Sequence, residues 1–235
     1  MSRRNVASIV WRMTNTLFAP KVAGVLSRLL AAADDQERGS AYPLQPGGIP
    51  DTMSALEQAE IFEDWYIPIS PEGGRLLYAL TRASRPDTVV EFGTSFGIST
   101  IYLAAALTDN GAGRVLTTEL SSKKVAAAGS NLREAGVDGP VTILAGDARQ
   151  TLADVPGPVG LVLLDGWKNL CLPVLRLLEP KLAPGALIVA DDITFTSMAG
   201  YLAYVRDPAS GYVSVTFPVE DGMEISTWTG PVTGV

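Results

Sequence analysis

Four residues in one stretch of this 235-residue chain carry the types and spacing that chemistry needs: Asp165, Lys168, Asp191 and Asp192. Asp165 closes the apolar run LVLLD, Lys168 follows three residues later, and the pair Asp191-Asp192 closes a second run, ALIVADD. Short runs rich in Leu, Val and Ile, separated by a helical stretch, are the mark of parallel strands buried on both faces. The carboxylates therefore stand where strands end, and in open α/β sheets the crevice beyond the strand carboxyl ends is where ligands bind. Three carboxylates and one ammonium are expected to converge on one pocket. The plainer alternative is a structural ion-pair network with Lys168 as its cation. The chain has no histidine, which removes Ser-His-Asp and Cys-His mechanisms and the commonest general base. Chemistry here must use carboxylates, Lys, Tyr or a bound ion.

A second group lies upstream. Glu91-Phe92-Gly93-Thr94-Ser95-Phe96-Gly97 follows an apolar run and opens a helical pattern. Gly93 and Gly97 permit backbone conformations closed to other residues and a close approach of ligand to main chain. Glu119 ends the next run, where an acid accepts hydrogen bonds from ribose hydroxyls, and Asp147 ends the one after, placed to meet an adenine amino group. A dinucleotide fingerprint needs G-x-G-x-x-G to cradle a pyrophosphate; here Ser95 takes the middle glycine position. A nucleoside without phosphates is the better match.

The elements that must position these residues are regular. Strands are expected at 88–92, 114–118, 141–145, 159–164 and 186–190, with helices starting near Gly97, Ser121, Ala148 and Lys168. This alternation implies a doubly wound parallel sheet. A helix near 197–205 precedes two strands, 212–217 and 224–228, close enough to pair as a hairpin at the sheet edge. Ser70-Pro71-Glu72 reads as a capped helix start, the helix running to about Ser84. Residues 1–50 read as a helical appendage and linker and 51–235 as the main domain. In the head, Val6, Ile9, Val10, Met13 and Leu17, then Val22, Val25, Leu26, Leu29 and Leu30, recur at three and four, giving two short amphipathic helices broken near Pro20. The Pro- and Gly-rich stretch to Asp51 reads as a linker or substrate-covering loop.

Composition narrows the partners. At 47% hydrophobic and 18% charged the chain is an ordinary folded protein. Residues 1–33 hold five basic groups and no acid against a whole-chain charge of −7, so the remainder carries −12. That balance disfavours nucleic acid, whose nonspecific binding rests on a basic surface. Arg12, Lys21 and Arg28 interrupt any membrane-length apolar run. The single Cys171 excludes an internal disulfide and reads as a small buried hydrophobe in a reducing cytoplasm. The apolar head faces suggest a homodimer.

These motifs match a known family. Residues from about 69 to 230 resemble class I S-adenosylmethionine-dependent O-methyltransferases, of the metal-dependent catechol and caffeoyl-CoA type. EFGTSFGIST is similar to that family's glycine motif, TTEL to its ribose-binding acid, AGDA to its adenine-side segment, LLDGWK to its metal-and-base motif and ADDIT to its second metal motif, while DGMEISTWTG is similar to its closing strand. The resemblance implies a Rossmann-like, mostly parallel seven-stranded sheet with an antiparallel edge hairpin. It implies S-adenosylmethionine held by Glu91, Gly93, Thr94, Ser95, Gly97, Ser99, Glu119, Leu120, Asp147, Ala148 and Asp165, with Ser70 near the cofactor's carboxylate. It further implies a divalent cation on Asp165, Asp191 and Asp192, Lys168 as general base, and Trp167 as a wall of the acceptor pocket. Asp192 departs from the Asn usual in the family, and segments 42–51 and 193–198, the acceptor loops, match no member well enough to transfer a substrate.

The implied reaction is methyl transfer to a hydroxyl of a small, ortho-dihydroxylated aromatic acceptor. A phenol of pKa ~10 costs roughly 4 kcal/mol to ionise at pH 7, which a bound divalent cation offsets. Carboxylates are hard ligands suited to Mg²⁺, and the cation and burial are expected to depress the pKa of Lys168. The rival readings are a metal-independent methyltransferase and a non-catalytic nucleoside-binding subunit, with an NAD-dependent oxidoreductase more remote.

Overall fold

A computed structural model describes residues 15–40 and 53–230. The elements in chain order are α1 (Pro20–Gly39), α2 (Ala55–Ile61), α3 (Pro71–Ser84), β1 (Thr88–Phe92), α4 (Ile98–Asn110), β2 (Arg114–Glu119), α5 (Ser122–Ala135), β3 (Val141–Ala145), α6 (Ala148–Thr151), β4 (Val159–Leu164), α7 (Cys171–Leu178), β5 (Leu182–Ala190), α8 (Ala199–Arg206), β6 (Tyr212–Phe217) and β7 (Met223–Trp228). The strands form one sheet in the order β3-β2-β1-β4-β5-β7-β6. The first five are parallel, and β7 pairs antiparallel with both β5 and β6. This is the seven-stranded Rossmann-like sheet with an antiparallel edge that the sequence implied.

Burial on both faces explains the continuous apolar runs. Val89, Leu161, Leu163 and Val189 point into one core, shared with α1, α3, α4 and α5. Val90, Val162, Leu164, Ile188 and Ala190 alternate into the other, shared with α7 and α8. The order in which strands are added reverses between β1 and β4, the topological switch point at which such sheets bind ligands. Register brings the motif ends together there. Phe92 pairs with Leu164 and Leu164 with Ala190, and Asp165 N–H donates to Phe92 O at 2.9 Å while Asp191 N–H donates to Leu164 O at 3.1 Å.

Three boundaries differ from the expectation. α1 runs on to Gly39, into residues whose polarity suggested a linker, because Ala33 still packs inward while the charged side chains of that last stretch face solvent. β5 begins four residues early, at Leu182, where Pro184-Gly185 suggested a turn; the pairing with β4 shifts register over that stretch instead of breaking. α7 and α8 are each preceded by a tight 3₁₀ turn, Lys168–Leu170 and Thr196–Met198.

The head is integrated with the sheet layer. Pro20 occupies the first turn of α1, and Val22, Val25, Leu26 and Leu29 bury against the core containing α4 and α5. Of the two apolar head faces that suggested a homodimer, the one on α1 is thus used within the chain. Asp109 at the end of α4 ties the segment down, accepting from Thr16 N–H at 2.9 Å, Thr16 Oγ1 at 2.6 Å and the Tyr78 hydroxyl at 2.6 Å. The first expected head helix and most of the expected covering loop lie outside the described residues. No helix among the described residues is long and apolar enough to cross a membrane.

Candidate active site

A cavity of about 680 Å³ opens at the carboxyl ends of the strands. Its wall takes Gly93, Thr94, Ser95 and Ser99 from the β1–α4 turn and helix, Glu119 and Leu120 after β2, Asp147 and Ala148 after β3, Asp165, Trp167 and Lys168 after β4, and Asp192 after β5. Twelve sequence-named residues thus meet around one volume. Four named residues do not line it: Ser70, Glu91, Gly97 and Asp191.

Backbone geometry at the first turn accounts for its glycines. Gly93 has φ +103°, and a Cβ there would sit 2.7 Å from Asp165 O and 2.8 Å from Gly166 N. Gly97 has φ +87° and caps α4. Ser95 adopts φ +47° without being glycine, a conformation that costs of order 1–3 kcal/mol. Its N–H donates to Glu119 Oε2 at 2.8 Å, while its buried hydroxyl has no partner among the described residues. Glu119 Oε1 accepts from Ser121 N–H at 2.8 Å. Two backbone donors therefore aim the Glu119 carboxylate into the cavity. A strained loop, a hydroxyl with no partner and a cradle closed to any Cβ fit a nucleoside donor such as S-adenosylmethionine.

Glu91 plays a different part from the ligand contact the sequence suggested. It is fully buried, and its two oxygens accept from Ser99 Oγ and Thr100 Oγ1, each at 2.6 Å. Burial pushes its carboxyl up to about 7, although those hydroxyl bonds pull the other way. It acts from behind the wall by fixing Ser99. Ser70 is spent as the cap of α3, accepting from Gly73 N–H at 3.0 Å. Asp147 caps α6 by accepting from Arg149 N–H at 2.8 Å, and the Arg149 guanidinium holds both its oxygens. The carboxylate expected to meet an adenine amino group is therefore already engaged.

At the other end, Lys168 Nζ lies 3.0 Å from Asp165 Oδ1 and 2.9 Å from Asp192 Oδ2. Asp192 reaches it from a left-handed backbone, φ +53°, and donates its N–H to Asp191 Oδ1 at 3.0 Å. Burial alone would push Lys168 down, but Asp165 and Asp192 outweigh it, so its pKa stands above the ordinary lysine value. Between these two acids Lys168 is a clamped ammonium; the depression expected of it belongs to a site in which a cation takes up the same two carboxylates. Burial raises Asp165 and pushes Asp191 up to about 8, the neighbouring carboxylates adding to both.

The donor set fits a hard divalent cation in its chemistry, three carboxylate oxygens at the ends of two adjacent strands. Its arrangement is not a closed ligand shell. Among the described residues no three acidic or cysteine side chains gather as a group that could hold a metal ion, and the Lys168 ammonium stands between two of the three acids. Cys171 is buried, its thiol pushed up to about 12 by burial, and is inert as expected.

Several wall residues were not named from the sequence. Ala55, Gln58 and Ala59 come from α2, with Tyr66 from the segment that follows, and Phe96 and Lys124 stand on the nucleoside side. The Ser54–Glu57 capping box that starts α2 was a readable signal for the helix, though not for the side it faces. Phe195, Thr196 and Ser197 fall within the loop expected to meet the acceptor.

Comparison with known proteins bears on this geometry. A family model described as "Methyltransferase domain" matches residues 90–193. A catechol O-methyltransferase of Niastella koreensis is 30% identical over 77% of this chain and 76% of its own length. The catechol O-methyltransferase of Mus musculus is 27% identical over 86% of this chain and 82% of its own. In fold, the chain is similar to the O-methyltransferase TomG of Streptomyces achromogenes, solved in complex with S-adenosylmethionine, with a TM-score of 0.62, 24% identity, and coverage of 87% of this chain and 99% of that one. With the strand-end cavity, the ordered motifs and these relatives in agreement, the chain belongs to the class I S-adenosylmethionine-dependent O-methyltransferases of the catechol and caffeoyl-CoA type.

Proposed function

We propose that this enzyme methylates a hydroxyl of a small, ortho-dihydroxylated aromatic acceptor. The observation that carries the reading is the single cavity joining a nucleoside-suited end, at Glu119 and Ser95, to an acid-and-lysine end, at Asp165, Lys168 and Asp192. A donor held at the first end and an acceptor at the second are brought within one enclosure, and such positioning is worth up to ~7 to 11 kcal/mol in favourable cases.

In this reading Glu119 accepts from the ribose hydroxyls. Gly93 gives the main chain its closest approach to the donor, with Thr94, Leu120 and Ala148 completing the nucleoside wall. Asp165 stands at the junction of the two ends. Trp167, tilted against Phe62 at 5.7 Å between ring centroids, walls the acceptor and excludes water from it. Asp165, Asp191 and Asp192 would hold Mg²⁺. When bound, that ion supplies a Lewis acid that lowers the pKa of the acceptor hydroxyls. Lys168 Nζ, 3.0 Å from Asp165 and 2.9 Å from Asp192, is the group placed to hold or take the acceptor proton at the acid end of the cavity.

The Lys168 bridge itself favours a second reading, in which the ammonium stays between Asp165 and Asp192 and stabilises the acceptor oxyanion without an ion. Methyl transfer to catechol, measured with and without EDTA, separates the two. Loss of turnover on chelation and recovery with Mg²⁺ supports the first. Undiminished turnover in EDTA rejects it, and absence of methylated product from every ortho-diphenol tried rejects the acceptor class.

A further inference from the structure

Lys124 is a cation where simple rules place an anion. It is the third residue of α5, whose first turn exposes N–H groups and a positive dipole end that favour negative charge. Its side chain is not at the surface: the residue is 5% exposed and lines the cavity. Among the described residues its ammonium has no hydrogen bond and no ion pair; its contact is the ring of Phe96, 5.4 Å from the centroid. Phe96 in turn stacks on Tyr66, with centroids 4.1 Å apart, and both rings line the same wall. The neighbouring Lys123 is exposed and pairs with Asp64 and Glu63.

Burial lowers the pKa of Lys124, and the charges that counter this are Glu119 and Asp64. Glu119 points the other way in chemistry: both its oxygens are fixed by backbone donors and it can only accept. An ammonium that opens on the cavity, with no hydrogen bond among the described residues, beside an oriented carboxylate is a pair built for a ligand that both donates and accepts. A ribose diol does both.

We infer that Lys124 is a nucleoside-binding residue, its ammonium donating to the ribose oxygens while Glu119 accepts from the ribose hydroxyls. The inference rests on the reading of this end of the cavity as the donor's nucleoside site. It makes Lys124 a determinant of ribose recognition separate from the glycine turn and from the acids that act on the acceptor.

The test is calorimetric, on the full chain and on Lys124→Met, Lys124→Gln and Lys124→Arg, with adenosine, 2′,3′-dideoxyadenosine and S-adenosylhomocysteine as probes. Lys124→Met is expected to bind adenosine and S-adenosylhomocysteine at least tenfold more weakly, about 1.4 kcal/mol, and dideoxyadenosine within twofold of the unaltered chain. Lys124→Gln weakens adenosine likewise, and Lys124→Arg retains most of the affinity. The ligand-free melting temperature of Lys124→Met is expected to match that of the unaltered chain, because the ammonium makes no hydrogen bond or ion pair among the described residues. Equal losses on adenosine and its dideoxy analogue would overturn the inference, as would adenosine affinity unchanged in Lys124→Met and Lys124→Gln. Failure of the unaltered chain to bind any of the three probes would instead overturn the nucleoside site itself.

Discussion

Replacing Lys168 by Met tests the acid-and-lysine end of the cavity most sharply, because the structure fixes what is left behind. The side chains of Lys168, Asp165 and Asp192 are only 14%, 12% and 24% exposed. Removing the ammonium leaves two mostly buried carboxylates facing each other without a cation. Breaking a buried ion pair from one side costs about 3–5 kcal/mol. For a domain of this size each kcal/mol moves the melting temperature by about 2–4 °C, so Lys168→Met should melt about 6–20 °C below the unaltered chain in EDTA. If Asp165, Asp191 and Asp192 hold Mg²⁺, the ion should recover part of this loss. At a concentration ~100 times its Kd it returns about 2.7 kcal/mol, and more to Lys168→Met than to the unaltered chain, in which the ammonium competes for the same oxygens. Differential scanning calorimetry of both proteins, with EDTA and with MgCl₂, reads each quantity. A variant as stable as the parent in EDTA would refute the clamped-ammonium geometry. Equal Mg²⁺ stabilisation of the two proteins would refute competition for one site.

Other consequences are checked more briefly. Glu119→Ala removes the oriented acceptor at the nucleoside end and should weaken S-adenosylhomocysteine at least tenfold, about 1.4 kcal/mol, by isothermal titration, with little change in melting temperature. Gly93→Ala places a Cβ 2.7 Å from Asp165 O at φ +103°; a shift of the β1 turn against β4 should cost on the order of 100-fold in kcat/KM, read by product formation at subsaturating donor. Glu91, with a carboxyl pushed up from 4.5 to about 7 in the folded chain, binds a proton more tightly folded than unfolded. Its contribution to stability is therefore fully present below pH ~4.5 and falls as pH rises through ~7, by about 3 kcal/mol in all. Urea denaturation of the unaltered chain and Glu91→Gln at pH 5 and pH 8 should show the steeper loss in the former.

The sheet was legible because its strands are buried on both faces, which leaves runs such as 159–164 apolar without interruption. The strand ends were legible for the same reason: Asp165 and Asp191 are the first charged residues after such runs, and parallel register then sets them side by side. What the sequence could not show was which way an acid faces. Glu119 closes β2 and Glu91 stands one residue before the end of β1, yet Glu91 is turned inward to the hydroxyls of Ser99 and Thr100, eight and nine residues on, while Glu119 is turned outward by backbone donors. The state of Lys168 was equally hidden. It depends on Asp192 reaching back across the strand ends, which follows from a left-handed backbone at that residue and not from spacing. Lys124 and the α2 wall were missed because their neighbours along the chain say nothing of the cavity they border.

The most direct test of the account is mass spectrometry of a reaction containing the enzyme, S-adenosylmethionine, Mg²⁺ and catechol. The expected result is a product carrying one added methyl on oxygen, formed by the unaltered chain and not by Asp165→Ala. A chain that binds the donor yet leaves every ortho-diphenol unmethylated, or an Asp165→Ala variant that turns over undiminished, would contradict it.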